Sequence, residues 1–515
     1  MSSQGMSSQG ASSTRTLVVG GGLAGLLAAR RHQRAGHRVV LLEAGEQVGG
    51  AIAAQTLDRA GGLALNTGAE AWSTASGAVD ALARELGLES RIVSPREGLG
   101  SRLVSAAGAH RSPAGALLGV PGRPLSAEVR EVLGTTGALR AALEPLLPRR
   151  VGNRPGATVA EVVRRRLGSA VLERLVAPII GGVHSADPAL IELAAASPAL
   201  AKGLAEHGSL VRTVRRLRGG AGGKGAAGSA GTRVHALTPT LAALPAALHD
   251  AILGAGGIVR TGVEVVGLDR GEGRWQVRTA AGETLETDRL VLACPPDTAR
   301  TLLAGVGRTD KDRSDQDRTA ERARTIAAAI PETPSAPVRL VALALDAPAL
   351  DAHPSGTGAL VAPGTPGIRA KALTHASAKW EHVQRALAEA LPSAQAPHLV
   401  RLSYGRPGEQ LPDQAGIVDL ALADASAILR TPLTRDHLVD AAVIDWDRAM
   451  RQPRPGHRAA LDALTALLDA QDDLELVGSW RAGTGIDAIV RADRSLTERS
   501  LTHRSLTATT EGPAA

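Results

Sequence analysis

The chain has 515 residues, 44% of them hydrophobic and 21% charged, and a net charge of +7, a balance that suits a globular protein with more than one core. Side chains that stack on bases are nearly absent, with no Phe, one Tyr and five Trp, so the positive charge does not mark a nucleic-acid binder. No uncharged apolar run approaches the ~18 residues needed to cross a bilayer, and the single Cys294 excludes an internal disulfide framework and fits a reducing cytoplasm.

Residues 1–14 are mostly Ser, Gln and Gly without an apolar core and read as a disordered tail. The apolar strand Thr16-Leu17-Val18-Val19 then runs into Gly20-Gly21-Gly22-Leu23-Ala24-Gly25, which opens an apolar helix. This is GxGxxG between a strand and a helix, where glycines let backbone approach a pyrophosphate held on a helix N-terminus. A second strand, Arg38–Leu42, ends in Glu43, 18 residues after Gly25, where an acid takes the ribose hydroxyls of an unphosphorylated dinucleotide.

Helical patterns follow, such as Val79–Leu86 and Val159–Leu167. Arg149-Arg150 and Arg164-Arg165-Arg166 read as exposed helix ends. Gly219–Gly231 has a flexible-linker composition. A second set of strand signals covers Gly257–Arg260, Val263–Val266, Trp275–Arg278 and Leu290–Cys294, with Cys294 a small core residue at a strand end. Arg308–Arg324 alternates acids and bases and reads as a solvated loop or exposed helix. Strand-like runs Val338–Leu345 and Leu399–Tyr404 flank the helical Trp380–Ala390, and Leu474–Gly478 leads into Gly483-Thr484-Gly485-Ile486 and a last helix. The fourteen histidines show no zinc-binding spacing, and no metal is expected.

Glu43-Ala44 with Gly49-Gly50, after GGGLAG, resembles the flavin-dependent amine oxidase superfamily. Further blocks resemble its protoporphyrinogen/coproporphyrinogen oxidase family: Gly68-Ala69-Glu70-Ala71, the stretch Leu175–Pro188, Lys371-Ala372-x-Thr374-x2-Ser377-x-Lys379-Trp380, Gln452–His457 and Gly478–Ile486. Departures are Ala51 where the family commonly has Arg or Lys, His184 for a tyrosine, and Thr238-Pro239 for a Gly-Gly.

The resemblance implies an α/β fold with α+β elements: a discontinuous Rossmann-like FAD-binding domain, a substrate-binding sheet domain and a helical lobe. The FAD domain is expected from segments 15–75, 232–304 and 441–505. The helical lobe is expected over 76–218, a flexible insert over 219–231, a charged insert over 305–335, the substrate domain over 336–440 and a tail over 506–515. FAD is expected to contact Gly20, Gly22, Leu23, Ala24 and Gly25 with its pyrophosphate, Glu43 and Ala44 near the ribose, Gly49 and Gly50 with its phosphates and the Val265 backbone with the adenine. Gly478, Gly483, Gly485 and Ile486 are expected at the isoalloxazine, where a helix N-terminus stabilises the reduced ring. Arg102 and His184 are the expected substrate-binding residues.

The implied reaction is a cytoplasmic, six-electron, oxygen-using oxidation of a porphyrinogen that releases hydrogen peroxide within heme biosynthesis. No catalytic acid–base pair is expected, since the flavin accepts the hydride and the protein positions it. Coproporphyrinogen III is the expected substrate, favoured by the basic balance and by a helical lobe read as lacking apolar surface segments. Protoporphyrinogen IX, another flavin amine oxidase or desaturase reaction, and a non-catalytic flavoprotein are the alternatives. A ferrochelatase is the expected transient partner, with no nucleic acid and no transmembrane segment.

Overall fold

The computed structural model describes residues 13–183, 185–219, 233–271, 273–307 and 314–510. Two compact units emerge, each discontinuous: one from the chain up to Gly50, Leu244–Pro331 and the chain from Leu461, the other from Ala51–Ala243 and Glu332–Ala460.

The first unit is built on a five-stranded sheet in the order Ile258–Arg260, Arg38–Leu42, Arg15–Val19, Arg289–Leu292, Leu474–Leu476. Every neighbouring pair is parallel. Such strands are covered on both faces and read as apolar runs, as Leu17, Val18, Leu41, Leu42, Val291 and Leu292 do by burying almost completely. A three-stranded antiparallel meander, Val265–Gly271, Arg274–Thr279 and Thr284–Thr287, completes the unit.

The second unit holds a seven-stranded sheet. Its order is Leu438–Arg451, Ser335–Asp346, Pro397–Tyr404, Ala372–His375, Gly358–Val361, Arg102–Ser105, Gly108–Arg111. Its helical part includes Ala127–Ala142, Val159–Leu167, Ala177–Val183, Pro198–His207 and Leu210–Gly219, closed around Val132, Val163, Leu175, Ile180 and Leu210. Each such fully buried side chain contributes about 1.5–3 kcal/mol of transfer free energy.

The mixed α/β fold matches the sequence reading, and several local expectations are corrected. The first unit's opening segment ends at Gly50 rather than 75, because the hairpin Ala54–Leu57 and Leu63–Asn66 buries Leu57, Leu63 and Leu65 against Leu340 and Ile444 of the second unit's sheet. The strand Leu438–Arg451 likewise stays in that sheet, paired along Ser335–Asp346. The charged stretch 314–329 is a helix, and it is not wholly solvated: Ala320, Ala323, Ile326 and Ala327 are buried in the first unit's core. The last helix runs Ile486–Thr510, past the expected end at 505.

Arg166 is not an exposed helix end. It is fully buried, its Nε donating to Glu144 Oε1 at 2.5 Å and its terminal nitrogens to the carbonyls of Val151 and Gly208. Consecutive helix positions point about 100° apart, and of these three arginines only the third turns inward. The helical lobe also exposes apolar surface, at Leu125, Leu139, Leu143 and Leu146, against the expectation that it carries none. Among the described residues no helix is long and apolar enough to cross a membrane. The Gly-rich stretch 220–231 lies outside the described residues, as do 308–313 and both chain ends.

Candidate functional site

In the first unit all five parallel strands point the same way, so the loops that follow them gather along one edge of the sheet. Those loops hold Gly20–Gly25, Glu43–Gly50, the approach to Val265, and Gly478–Gly485. Ligands of open α/β sheets bind at this carboxyl edge.

The glycines divide by role. Gly20 has φ +108°, and a Cβ there would lie 2.9 Å from the Ala293 carbonyl carbon. At Gly25 a Cβ would fall 1.9 Å from the Gly20 carbonyl oxygen. Both therefore serve the tight strand-to-helix turn. Gly22 is different: a Cβ there meets no protein atom within 4 Å, so its surface faces open space that a phosphate can fill. The helix Leu23–Arg34 starts there with no side-chain cap and no acid in its first turn, leaving its positive end for an anion. Gly49 joins this cradle, donating its N–H to the Gly21 carbonyl at 2.9 Å, and Gly50 takes φ +58° beside Gly22.

Glu43 is half-buried and held by two amides. Its Oε2 accepts from Gly21 N–H at 2.6 Å and its Oε1 from Gly45 N–H at 2.8 Å. A carboxylate oxygen has lone pairs beyond those used, so both oxygens remain able to accept from hydroxyls. Ala44 follows it on the exposed side. The Val263 N–H donates to the Glu43 carbonyl at 2.9 Å, which starts the strand of Val265 next to this acid.

At the C-terminal end, Gly478 and Gly483 take φ +142° and +109°. Gly485 is exposed, a Cβ on it would meet nothing within 4 Å, and the helix Ile486–Thr510 begins immediately after it. Cys294 is buried as expected, and desolvation pushes its thiol up to about 12.

The second unit gathers charged side chains instead. The Glu70 side chain is only 12% exposed; desolvation alone would raise its pKa, but the Lys379 ammonium and Arg401 guanidinium hold it down at about 2. Lys379 Nζ donates to Oε1 at 3.0 Å, Arg401 donates to Oε2 at 2.8 Å, and the Trp380 indole N–H also donates to Oε1. Lys371 is 1% exposed, and among the described residues no carboxylate pairs with it. Its Nζ donates to Ser185 Oγ at 2.6 Å and to the Gly405 carbonyl at 2.8 Å. Burial, aided by the Arg406 charge, pushes its pKa down to about 7. Ser185 holds φ +46°, and its carbonyl accepts from Gln452 Nε2 at 2.7 Å. Three blocks far apart in sequence thus meet at Ser185.

Of the expected substrate residues, Arg102 is half-buried at the head of Arg102–Ser105, with Nε donating to the Pro354 carbonyl at 3.4 Å. His184 lies outside the described residues. Sequence reasoning named the Glu70 and Lys371 blocks without assigning their side chains; the signal was a charged residue inside an otherwise apolar run. Among the described residues no group of His, Cys, Asp and Glu is arranged to hold a metal.

The family model of flavin-containing amine oxidoreductases matches residues 23–469. The chain belongs to this family. It is an FAD-dependent oxidoreductase, and the uncapped helix, the open Gly22 and the tethered Glu43 suit a dinucleotide. A coproporphyrinogen III oxidase of Mycobacterium leprae is 30% identical over 92% of this chain and 95% of its own length. Another protein of that name, from Bacillus subtilis, is 23% identical over 91% and 94%. A candidate protoporphyrinogen oxidase from an Exiguobacterium species shares the fold, with a TM-score of 0.74 at 22% identity over 95% of this chain and 99% of its own. The relatives place the chain in the protoporphyrinogen/coproporphyrinogen oxidase branch, as the sequence blocks indicated.

Proposed function

We propose that this chain oxidises coproporphyrinogen III to coproporphyrin III with bound FAD, in heme biosynthesis, reducing molecular oxygen to hydrogen peroxide. The observation that carries this reading is the 30% identity to an oxidase of that name across 92% of the chain. Bound FAD supplies the two-electron acceptor, used three times over to make the ring aromatic. The protein's part is to hold both partners in place and keep water out.

In this reading the backbone of Gly20, Gly22, Leu23, Ala24 and Gly25 takes the pyrophosphate on the helix N-terminus. Glu43 accepts from the ribose hydroxyls, with Ala44 beside it, while Gly49 and Gly50 line the phosphates and the Val265 main chain meets the adenine. Gly478, Gly483, Gly485 and Ile486 present a helix N-terminus to the charge that develops on the reduced ring. No proton transfer is assigned to a side chain. The reaction is taken to run in the cytoplasm, where the single cysteine is at home, and its product to pass to a ferrochelatase.

The test is initial rates of the purified yellow protein on coproporphyrinogen III and protoporphyrinogen IX, read by porphyrin fluorescence. Faster turnover of the tetrapropionate is expected. Preference for protoporphyrinogen IX would favour the second reading, which the Exiguobacterium neighbour's description supports, and no turnover of either would remove both. Glu43→Ala is expected to weaken FAD retention about tenfold or more, the worth of charge-assisted hydrogen bonds. Unchanged flavin content after gel filtration would remove the ribose assignment.

A further inference from the structure

The second unit contains a cavity of about 370 Å3 that none of the roles above uses. One wall comes from Ala186–Ile191 and the other from Gln452–Pro455, with Pro334 beside them. Both walls are fixed from behind. Gln452 donates through Nε2 to the Ser185 carbonyl at 2.7 Å and through its N–H to the Pro334 carbonyl at 2.8 Å. The Gly456 N–H donates to Glu192 Oε1 at 2.6 Å, and Lys371 anchors Ser185 itself. The cavity is therefore pre-formed, so little ordering is required when something enters it.

Its chemistry is amphiphilic. Leu190, Ile191, Pro334 and Pro453 supply apolar surface, and Leu190 is 56% exposed. Two charged residues complete the lining, Asp187 and Arg454. Asp187 is already in use, its Oδ1 accepting from Ala189 N–H at 2.7 Å. Arg454 differs: only its main chain is engaged, its carbonyl accepting from His457 N–H at 3.0 Å, and its guanidinium has no hydrogen-bond or ion-pair partner among the described residues. A planar fork of unused donors over an apolar wall fits a carboxylate carried on a greasy body. The volume lies at the lower end of the ~300–1,000 Å3 of small-molecule sites, enough for one edge of a large ring with its acid arm.

We propose that Arg454 binds a carboxylate of an amphiphilic ring substrate in this cavity, with the ring edge against Leu190, Ile191 and Pro453. The inference rests on the porphyrinogen reading, in which that acid is a propionate. Arg454 then sets preference between substrates by their acid arms, and Asp187 tunes it by opposing a second anion.

The experiment is a fluorescence titration of the holoenzyme with coproporphyrin III, in wild type, Arg454→Ala, Arg454→Lys and Asp187→Asn, with KM and kcat for coproporphyrinogen III alongside. Arg454→Ala should weaken binding about tenfold or more and raise KM in step, with kcat within about twofold. Arg454→Lys should fall between, since an ammonium keeps the charge and loses the fork. Asp187→Asn, which keeps its acceptor for Ala189, should tighten binding about two- to threefold through loss of like-charge repulsion. The tetramethyl ester of coproporphyrin should bind wild type and Arg454→Ala alike. Equal binding of the acid by wild type and Arg454→Ala overturns the proposal, and so do reversed signs, with Arg454→Ala tighter and Asp187→Asn weaker. If the wild type binds no porphyrin and oxidises no porphyrinogen, the functional reading itself fails; if it turns over and Arg454→Ala matches it, only the subsite fails.

Discussion

The two units carry their chemistry in opposite ways. In the first, the decisive positions are glycines, and the carboxyl edge of the sheet presents mostly main chain: an uncapped helix start, an open Gly22 and a Glu43 tied to two amides. In the second, the decisive positions are buried charged side chains whose partners lie far away in sequence, as Glu70 with Lys379 and Arg401 or Lys371 with Ser185. The difference extends within the second unit. Glu70 keeps its charge because two cations face it, whereas Lys371 donates to two neutral oxygens, and burial, aided by the Arg406 charge, pushes it toward losing its proton near pH 7. Burial neutralises an ion unless a partner of opposite sign is buried with it.

The largest effect should come from breaking the Glu70 cluster. Glu70→Gln leaves the Lys379 and Arg401 charges without their counter-ion inside the protein, at a cost of about 3–5 kcal/mol in chemical denaturation. Acid provides a second measure. The folded pKa of about 2 lies below the ordinary 4.5, so the cluster's contribution is complete above pH 4.5 and is lost as pH falls toward 2. Glu70→Gln should remove that part of the acid dependence; a loss under about 1 kcal/mol would mean the cations find other partners.

Lys371 should show the same direction of pH dependence in a higher pH window. Its folded pKa of about 7 lies below the ordinary 10.5, so between these values the unfolded chain holds a proton that the folded chain has released. Stability should therefore rise with pH across that window, by up to about 1.4 kcal/mol per pH unit. Lys371→Met should flatten this slope, and at pH 7 it should cost less than Glu70→Gln because it removes a poorly solvated ammonium along with two hydrogen bonds. An unchanged pH profile would show that Lys371 is not the titrating group.

The glycines test the other half of the comparison at smaller cost. Gly20→Ala forces a Cβ against the Ala293 backbone at φ +108° and should cost about 1–3 kcal/mol. Gly22→Ala should cost under about 1 kcal/mol in stability, as an unfavourable N-cap, yet lose FAD, because its Cβ meets only the space a phosphate would occupy. Retained flavin in Gly22→Ala, measured by its visible absorbance, would move the pyrophosphate elsewhere.

Much of the first unit was legible because its signals are local. Gly20–Gly25, Arg38–Leu42 and Glu43 form one contiguous βαβ pattern, and strand, turn and acid constrain one another within about thirty residues. Even the distant strands Arg289–Leu292 and Leu474–Leu476 announce themselves as short apolar runs. Side-chain direction was not legible in the same way. Arg166 looks like Arg164 and Arg165 in sequence, and only the buried Glu144 distinguishes it. The helix Ser314–Ala329 looks solvated until its alanines are seen to pack.

By itself the sequence determined the α/β class, the cofactor and the family, since each depends on period, glycine spacing or short blocks. Only the tertiary structure decided which charges meet: that Lys379 and Arg401 share Glu70, that Lys371 reaches Ser185, and that the Arg454 guanidinium stands beside an apolar cavity with no partner among the described residues. The physical reason is range. Backbone conformation is set by near neighbours, whereas the ionisation and reach of a side chain depend on what folding brings within a few ångströms of it.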